Sequence, residues 1–258
     1  MSCGLLNLSN LKRQKMTVST SEEFEVYDEI SRLAGSLWEE SLKVEGLGRN
    51  PKMFSIMLFK RLWSNHRGYT LMHNNNFFLE ADIILRSGLE AAICIAANFQ
   101  LRDDFVDLMK SDAAHTILGQ IKVHREAGAT DLVKDGEATL RSLKANLPEG
   151  TKPKRLNWKT LAHQGKVPQL YDFHRMLSGV SSHVTGMSVL KGTIGVDGSG
   201  EDAQDELRKL SKRMHLMMMA VATLQGSMLH AAIINKEAHS KDAISLLDKL
   251  NIISMDWP

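Results

Sequence analysis

Three charged residues spaced four apart, Asp82, Arg86 and Glu90, form the group in this sequence whose residue types best suit chemistry. A step of four residues turns an α-helix about 40° past a full turn, so the three side chains share one face. A guanidinium between two carboxylates suits a buried ion-pair network that fixes the packing of the helix. The alternative is that Arg86 or Glu90 lines a pocket. In both cases we expect Arg86 to contact at least one of the two carboxylates directly.

A second group of polar side chains lies in the segment that ends at His183. The buried stripe predicted for this segment consists of Leu170, Phe173, Leu177 and Val180. His174 and Ser178 fall on the flank of the stripe, where they are placed to meet another helix. His183 falls at the predicted helix end, where a histidine either interacts with the last carbonyl groups or serves as a general base or RNA-contacting group.

The stretch containing Lys152, Lys154, Arg155 and Lys159 is basic, and Trp158 is interleaved with these cations. Cationic side chains beside an aromatic ring suit contacts with phosphates and stacking on a base. The same composition also suits a solvated loop, and the sequence leaves both interpretations open.

Motifs that bind metals or nucleotide cofactors do not appear in the sequence. The histidines form no His-x3-His pair, and no cluster of cysteine and histidine has the spacing of zinc ligands. The sequence also lacks a Walker loop, a Gly-x-Gly-x-x-Gly fingerprint and a Gly-x-Ser-x-Gly nucleophile elbow. We therefore predict neither a metal nor a cofactor.

The elements that must position these residues are helical. Apolar residues recur at steps of three and four through most of the chain, and the five prolines fall between the periodic segments. Thr20 with Glu23 forms a predicted capping box, and Asn50 before Pro51 forms a second predicted cap. The predicted helices run from Thr20 towards Gly46 and over about 51–73, 77–99, 102–127, 131–146, 158–164, 168–182, 202–236 and 240–250. The pattern predicts an all-α bundle of about seven to nine helices.

Two of these segments have patterns that place them in the fold. Segment 77–99 is apolar nearly all round, which predicts the central helix. Segment 202–236 has apolar residues at alternating steps of three and four from Leu207 to Ala231, the pattern of a coiled-coil seam. This seam either packs along the central helix or forms the interface of a homodimer.

Composition places the chain among ordinary globular proteins. Apolar residues make up 43% and charged residues 24% of the 258 residues, and the formal net charge of +2 gives no global field that favours nucleic acid or membrane. The two cysteines, Cys3 and Cys94, form no disulfide framework, and no span has the pattern of a transmembrane helix, so we predict a cytoplasmic protein. We predict a flexible tail over 1–18, one helical domain over 19–258 and a loop over 186–201.

Three elements, in order along the chain, resemble a known family. They are Ala81-x3-Leu85-Arg86-Ser87-x2-Glu90, then Trp158-x2-Leu161-Ala162 with Gly165 and Tyr171, and last Arg175-x-Leu177-Ser178-x4-His183. Together they are similar to a bacterial all-helical family of unknown function that looks distantly related to the HEPN (higher eukaryote and prokaryote nucleotide-binding) superfamily. The likeness covers residues from about 55 to 190.

The resemblance implies a helical bundle, a homodimer and a role in a bacterial defence or toxin–antitoxin system. Many HEPN proteins are ribonucleases that need no metal, so it also implies an endoribonuclease. In that case His183 is the general acid or base, and Arg175 or Arg86 stabilises the phosphorane charge, with Glu90 in the same site. The alternative is a non-catalytic sensor, binding module or dimerising scaffold that takes RNA or a nucleotide. The ligand-binding candidates are Tyr171, His174, Ser178, Lys154 and Arg155.

Overall fold

The computed structural model describes residues 20–47, 50–179 and 201–254, with the backbone alone over 201–208 and at 254. These ranges hold nine α-helices and no strand, which confirms the predicted all-α bundle. The helices are α1 (Ser21–Ser41), α2 (Pro51–Asn74), α3 (Phe78–Leu101), α4 (Asp103–Glu126), α5 (Thr130–Lys144), α6 (Trp158–Gln164), α7 (Pro168–Ser178), α8 (Glu201–Ile233) and α9 (Glu237–Ser254). The predicted tail, residues 186–200 of the predicted loop and His183 lie outside the described residues, whereas Glu201, predicted as the last residue of the loop, begins α8.

Local capping fixes where the first helices begin. The Thr20 side chain accepts from the Glu23 amide, and the Glu23 carboxylate accepts from the Thr20 amide, so the predicted capping box at α1 is confirmed. Asn50 caps α2 by accepting from the Met53 amide, with proline at the first helical position as predicted. At its other end α1 stops at Ser41, before the predicted stop signal at Gly46.

Helix α3 is central, as predicted from its apolar sequence. Every residue from Ala91 to Asn98 is buried, because α2, α6, α7 and α8 all pack around this helix. Helix α6 approaches α3 very closely at Gly165. A Cβ atom built on Gly165 would lie 2.9 Å from the Ala97 amide nitrogen, so only glycine fits there without moving the backbone. This close approach holds Trp158 and the rest of α6 against α3.

Helix α8 packs along α3, which confirms one of the two roles predicted for its apolar seam. Met217, Leu224 and Ala231 of the seam are all buried inside the chain. Within the described residues, Lys209–Ile233 is the one stretch long and apolar enough to cross a membrane. Its most apolar window is 72% buried by the rest of the protein, which is the behaviour of a core helix in a soluble protein.

Helices α4 and α5 form a hairpin with a small apolar core of their own, made of Ala114, Ile121 and Leu140. The chain then returns towards α3 along α4. The amide of Lys154 donates to Ser111 Oγ at 3.1 Å, and the amide of Leu156 donates to Asp112 Oδ1 at 2.8 Å. These bonds fix the path of the basic segment that leads into α6.

Candidate functional site

Arg86, Glu90 and His174 form a polar cluster between α3 and α7. The guanidinium Nε of Arg86 lies 3.3 Å from His174 Nε2, and Glu90 Oε1 lies 3.0 Å from the same nitrogen. Arg86 Nη2 also lies 3.6 Å from Glu90 Oε1, so the expected contact between Arg86 and a carboxylate is confirmed. The i, i+4 spacing on α3 sets the first two side chains on one face, and α7 supplies the imidazole.

The cluster sits at the border between core and solvent. The side chains of Arg86 and Glu90 are 21% and 23% exposed, whereas that of His174 is 6% exposed. Two aromatic rings hold the imidazole, Tyr171 at a centroid distance of 6.2 Å and Trp158 at 5.7 Å. A buried, oriented ring therefore meets two charged groups that solvent reaches.

The partners of His174 place its proton chemistry at Nε2. The other ring nitrogen, Nδ1, is buried and has no hydrogen-bond partner among the described residues. When Nε2 carries a proton, it donates to the Glu90 carboxylate. When Nε2 has lost the proton, it accepts from the Arg86 guanidinium, which only donates. Nε2 therefore has both an acceptor and a donor within reach, whereas Nδ1 has neither among the described residues.

Asp82, the third member of the predicted stripe, pairs with α8 instead of with Arg86. Its Oδ1 lies 2.6 Å from Nδ1 of His215, and the two side chains are 17% and 13% exposed. The stripe therefore divides into two histidine–carboxylate pairs, one to α7 and one to α8. The sequence did not predict His215, because nothing local to the α8 pattern indicates a partner on α3.

The other predicted site residues lie around the cluster or apart from it. Ser178 Oγ donates to the backbone carbonyl of His174 at 2.7 Å, a bond within α7. Arg175 is exposed and makes no hydrogen bond or ion pair with Arg86, Glu90 or His174. Lys154 and Arg155 are also exposed, and they lie on the segment before α6. His183 is the one predicted catalytic residue outside the described residues.

Metal and thiol chemistry find no support in the part of the chain that the structure describes. No group of three or more His, Cys, Asp or Glu side chains there is arranged to hold a metal ion. Cys94 lies on α3 one turn beyond Glu90, and its thiol is buried. Burial, helped by the negative charges of Glu90 and Asp112, raises the pKa of Cys94 to about 12, so the thiol stays protonated and is a poor nucleophile.

Two further histidines lie in the core and bind only hydroxyl groups. His66 Nε2 lies 2.7 Å from Ser31 Oγ, and its Nδ1 lies 2.9 Å from Thr223 Oγ1. Ser31 donates its single hydroxyl proton to the Tyr27 carbonyl, so it accepts from His66 Nε2–H. Burial lowers the pKa of His66 to about 4, which keeps this ring neutral.

His230 repeats this arrangement on α8. Its Nε2 lies 2.8 Å from Ser41 Oγ, its Nδ1 lies 2.7 Å from Ser55 Oγ, and its ring stacks on Phe59 at 4.3 Å. Ser41 donates to the Leu37 carbonyl, so His230 carries its proton on Nε2 as well. Burial lowers the pKa of His230 to about 3.

A scan against protein-family models, a search of the curated proteins and a search of the solved structures all found no match. The likeness to HEPN proteins therefore depends on the sequence motifs alone. The chemistry of this chain has to be argued from the geometry of its own side chains.

Proposed function

We propose that this chain is a metal-independent endoribonuclease of HEPN type, with Arg86, Glu90 and His174 as its catalytic group. One observation carries the proposal. His174 Nε2 has a carboxylate acceptor in Glu90 and a cationic donor in Arg86, both within 3.3 Å. The core histidines of the same protein, which bind hydroxyls, lack both kinds of charged partner.

The reaction proposed is attack of an RNA 2′-hydroxyl on its neighbouring phosphorus. His174 Nε2 takes the hydroxyl proton, and the Glu90 carboxylate stabilises the imidazolium that forms. Arg86 faces the negative charge that develops on the phosphorane oxygens. The 2′-oxygen–phosphorus bond forms, the bond to the 5′-oxygen breaks, and the leaving oxygen takes up a proton. The products are a 2′,3′-cyclic phosphate and a free 5′-hydroxyl.

The resemblance adds three elements to this proposal. It assigns His183 as the general acid or base, and in this proposal His183 is the acid that protonates the leaving oxygen. It also assigns Arg175 to the site and a homodimer to the active form. The cellular setting proposed is a cytoplasmic defence or toxin–antitoxin system.

Cleavage of labelled single-stranded RNA in the presence of EDTA tests the proposal. We expect cleavage by the wild type, and a loss of about 100-fold or more in His174→Gln and Arg86→Gln. His115→Gln is the matched control, because His115 is exposed on the α4–α5 hairpin. Full cleavage by a folded His174→Gln variant would contradict the assignment of this residue.

The partial burial of the cluster favours a second candidate, a non-catalytic module that binds RNA or a nucleotide through Arg86. In that case the wild type binds labelled RNA without cleaving it, and Arg86→Gln weakens the binding. Light scattering on the same samples measures the homodimer.

A further inference from the structure

Exposed basic side chains recur along the segment that runs from residue 150 to 171. We call this set the basic surface. It consists of Lys152, Lys154, Arg155, Lys159, His163 and Lys166, all of them exposed. No Asp or Glu occurs anywhere in this segment. With a net charge of only +2 for the whole chain, positive charge is concentrated here rather than spread over the protein.

The packing of α6 turns Lys159 and His163 outward. Leu161 and Ala162 are buried against α3, and Gly165 touches the α3 backbone. Lys159 and His163 are four residues apart, so they share the opposite, solvent-facing side of the helix. The path of the residues before α6 is fixed by the two backbone hydrogen bonds to Ser111 and Asp112.

The Lys and Arg residues of the basic surface are not neutralised. None of them forms an ion pair with any residue that the structure describes, whereas Lys110, Lys236 and Lys249 each bind a carboxylate within 3 Å. Unpaired cations close to one another repel each other. Binding of a polyanion relieves this repulsion and releases counterions, so it is favourable.

The surroundings of the basic surface select the kind of polyanion. No large apolar side chain is exposed between 150 and 171, and a membrane-binding surface needs such anchors. Trp158 is half-buried between Arg155 and Lys159 in the sequence, and its ring contacts His174 of the catalytic group. Phosphate-binding cations beside an aromatic ring are the combination that binds single strands.

We propose that the basic surface binds the sugar–phosphate backbone of single-stranded RNA and leads the strand past Trp158 to Arg86, Glu90 and His174. The destination of the strand rests on the proposed function, whereas the binding surface rests on the charge, exposure and anchoring of its own residues. The surface adds His163 and Lys166 to the residues proposed to contact RNA.

Fluorescence anisotropy with a labelled single-stranded RNA of about 20 nucleotides tests the surface. The test variant combines Lys154→Gln, Arg155→Gln and Lys159→Gln. We expect the dissociation constant to rise roughly tenfold to 100-fold, and the slope of log affinity against log salt to fall by about two. The matched control combines Lys122→Gln, Lys134→Gln and Lys144→Gln, which removes the same charge from the exposed side of the α4–α5 hairpin. We expect it to change the affinity by less than about twofold.

Two further measurements separate this proposal from the ribonuclease proposal. His174→Gln should lower kcat while changing the affinity for long RNA less than the triple variant does, because it leaves the basic surface intact. The triple variant of the basic surface should raise the KM for long RNA more than it lowers kcat. A loss of catalysis that exceeds the loss of affinity therefore indicates a defect in the catalytic group. A loss of affinity that exceeds the loss of catalysis indicates a defect in the basic surface.

Three outcomes would overturn the proposal. One is an equal loss of affinity in the triple variant and in the hairpin control, since that would reflect net charge alone. Another is wild-type binding to double-stranded DNA as tight as to single-stranded RNA. The third is binding to vesicles of phosphatidylcholine and phosphatidylserine without binding to RNA.

Discussion

Four histidines of this protein lie in two kinds of surroundings, which differ more in the hydrogen-bond partners of the ring than in its burial. His66 and His230 lie in the core, and each is held between two hydroxyl groups. His174 and His215 lie where α3 meets α7 and α8, and each is held by a carboxylate. His174 is itself almost fully buried, so burial alone does not distinguish the two kinds.

This difference in hydrogen-bond partners indicates which histidines are suited to transfer a proton. A hydroxyl whose proton already binds a backbone carbonyl fixes the neutral imidazole in one tautomer, and nothing nearby compensates a positive charge. A carboxylate supplies that compensation when the ring is protonated. Residue type therefore marks candidates, and the neighbouring groups decide between a structural and a chemical role.

The largest expected effect is the response of stability to acid. The pKa values of His66 and His230, about 4 and about 3, lie below the value of about 6.5 for an unfolded chain. As the pH falls below 6.5 the unfolded chain binds protons first, so stability is complete above that pH and is lost on acidification. Between pH 6.5 and 4.5 we expect the free energy of unfolding to fall by roughly 4 kcal/mol, measured by urea titration.

The choice of pH window excludes another titrating group. Lys236 and Lys43 lower the pKa of Glu40 to about 2 in the folded protein, so its contribution is lost mainly below pH 4.5. A His66→Gln or His230→Gln variant should lose about half of the slope. A free energy of unfolding that stays flat across the window would show that the core histidines are not the cause.

A second prediction removes one core ring. His230→Ala deletes the stacking on Phe59 and leaves the Ser41 and Ser55 hydroxyls without their partner. We expect a loss of about 3 kcal/mol from the cavity and the broken hydrogen bonds. His239→Ala, at an exposed bond to Ser36, is the control and should cost under about 1 kcal/mol. Equal losses in the two variants would contradict the structural role of His230.

Most of the fold follows from local sequence signals. The capping box at Thr20, the Asn50 cap and Pro168 each mark a helix start in the sequence, and the structure places α1, α2 and α7 there. The break between α3 and α4 is harder to predict to the residue. It depends on Arg102, whose φ of 53° lies in the left-handed region with no glycine or proline to announce it.

The candidate site divides in the same way between local and distant information. Spacing alone predicts the contact between Arg86 and Glu90, because both lie on one helix. The partners His174 and His215 come from helices that only tertiary packing brings to α3. The amino-acid sequence of this chain contains no local pattern that pairs Asp82 with a residue on α8.

A third prediction tests whether a carboxylate partner is what distinguishes the two kinds of histidine, by placing a carboxylate beside a core histidine. In Ser31→Asp the side chain that accepts from His66 Nε2–H becomes an anion, while the ring stays between Tyr27 and Trp63. We expect the pKa of His66 to rise by roughly one to two units, followed by NMR titration of the imidazole. Ser31→Asn is the neutral control and should leave the pKa near its value of about 4.

The smallest effect on stability is expected for the pair of Asp82 and His215, where α3 meets α8. In Asp82→Asn the amide oxygen still accepts from His215 Nδ1–H, and both side chains keep some contact with water. We expect a loss of about 0.5 to 1 kcal/mol in the free energy of unfolding, measured by urea titration at neutral pH. Asp131→Asn, which weakens an almost fully exposed pair with Lys134, should cost nothing measurable. A loss above about 2 kcal/mol in Asp82→Asn would mean that the pair is locked as firmly as the core histidines, and that a carboxylate partner alone does not free a histidine for chemistry.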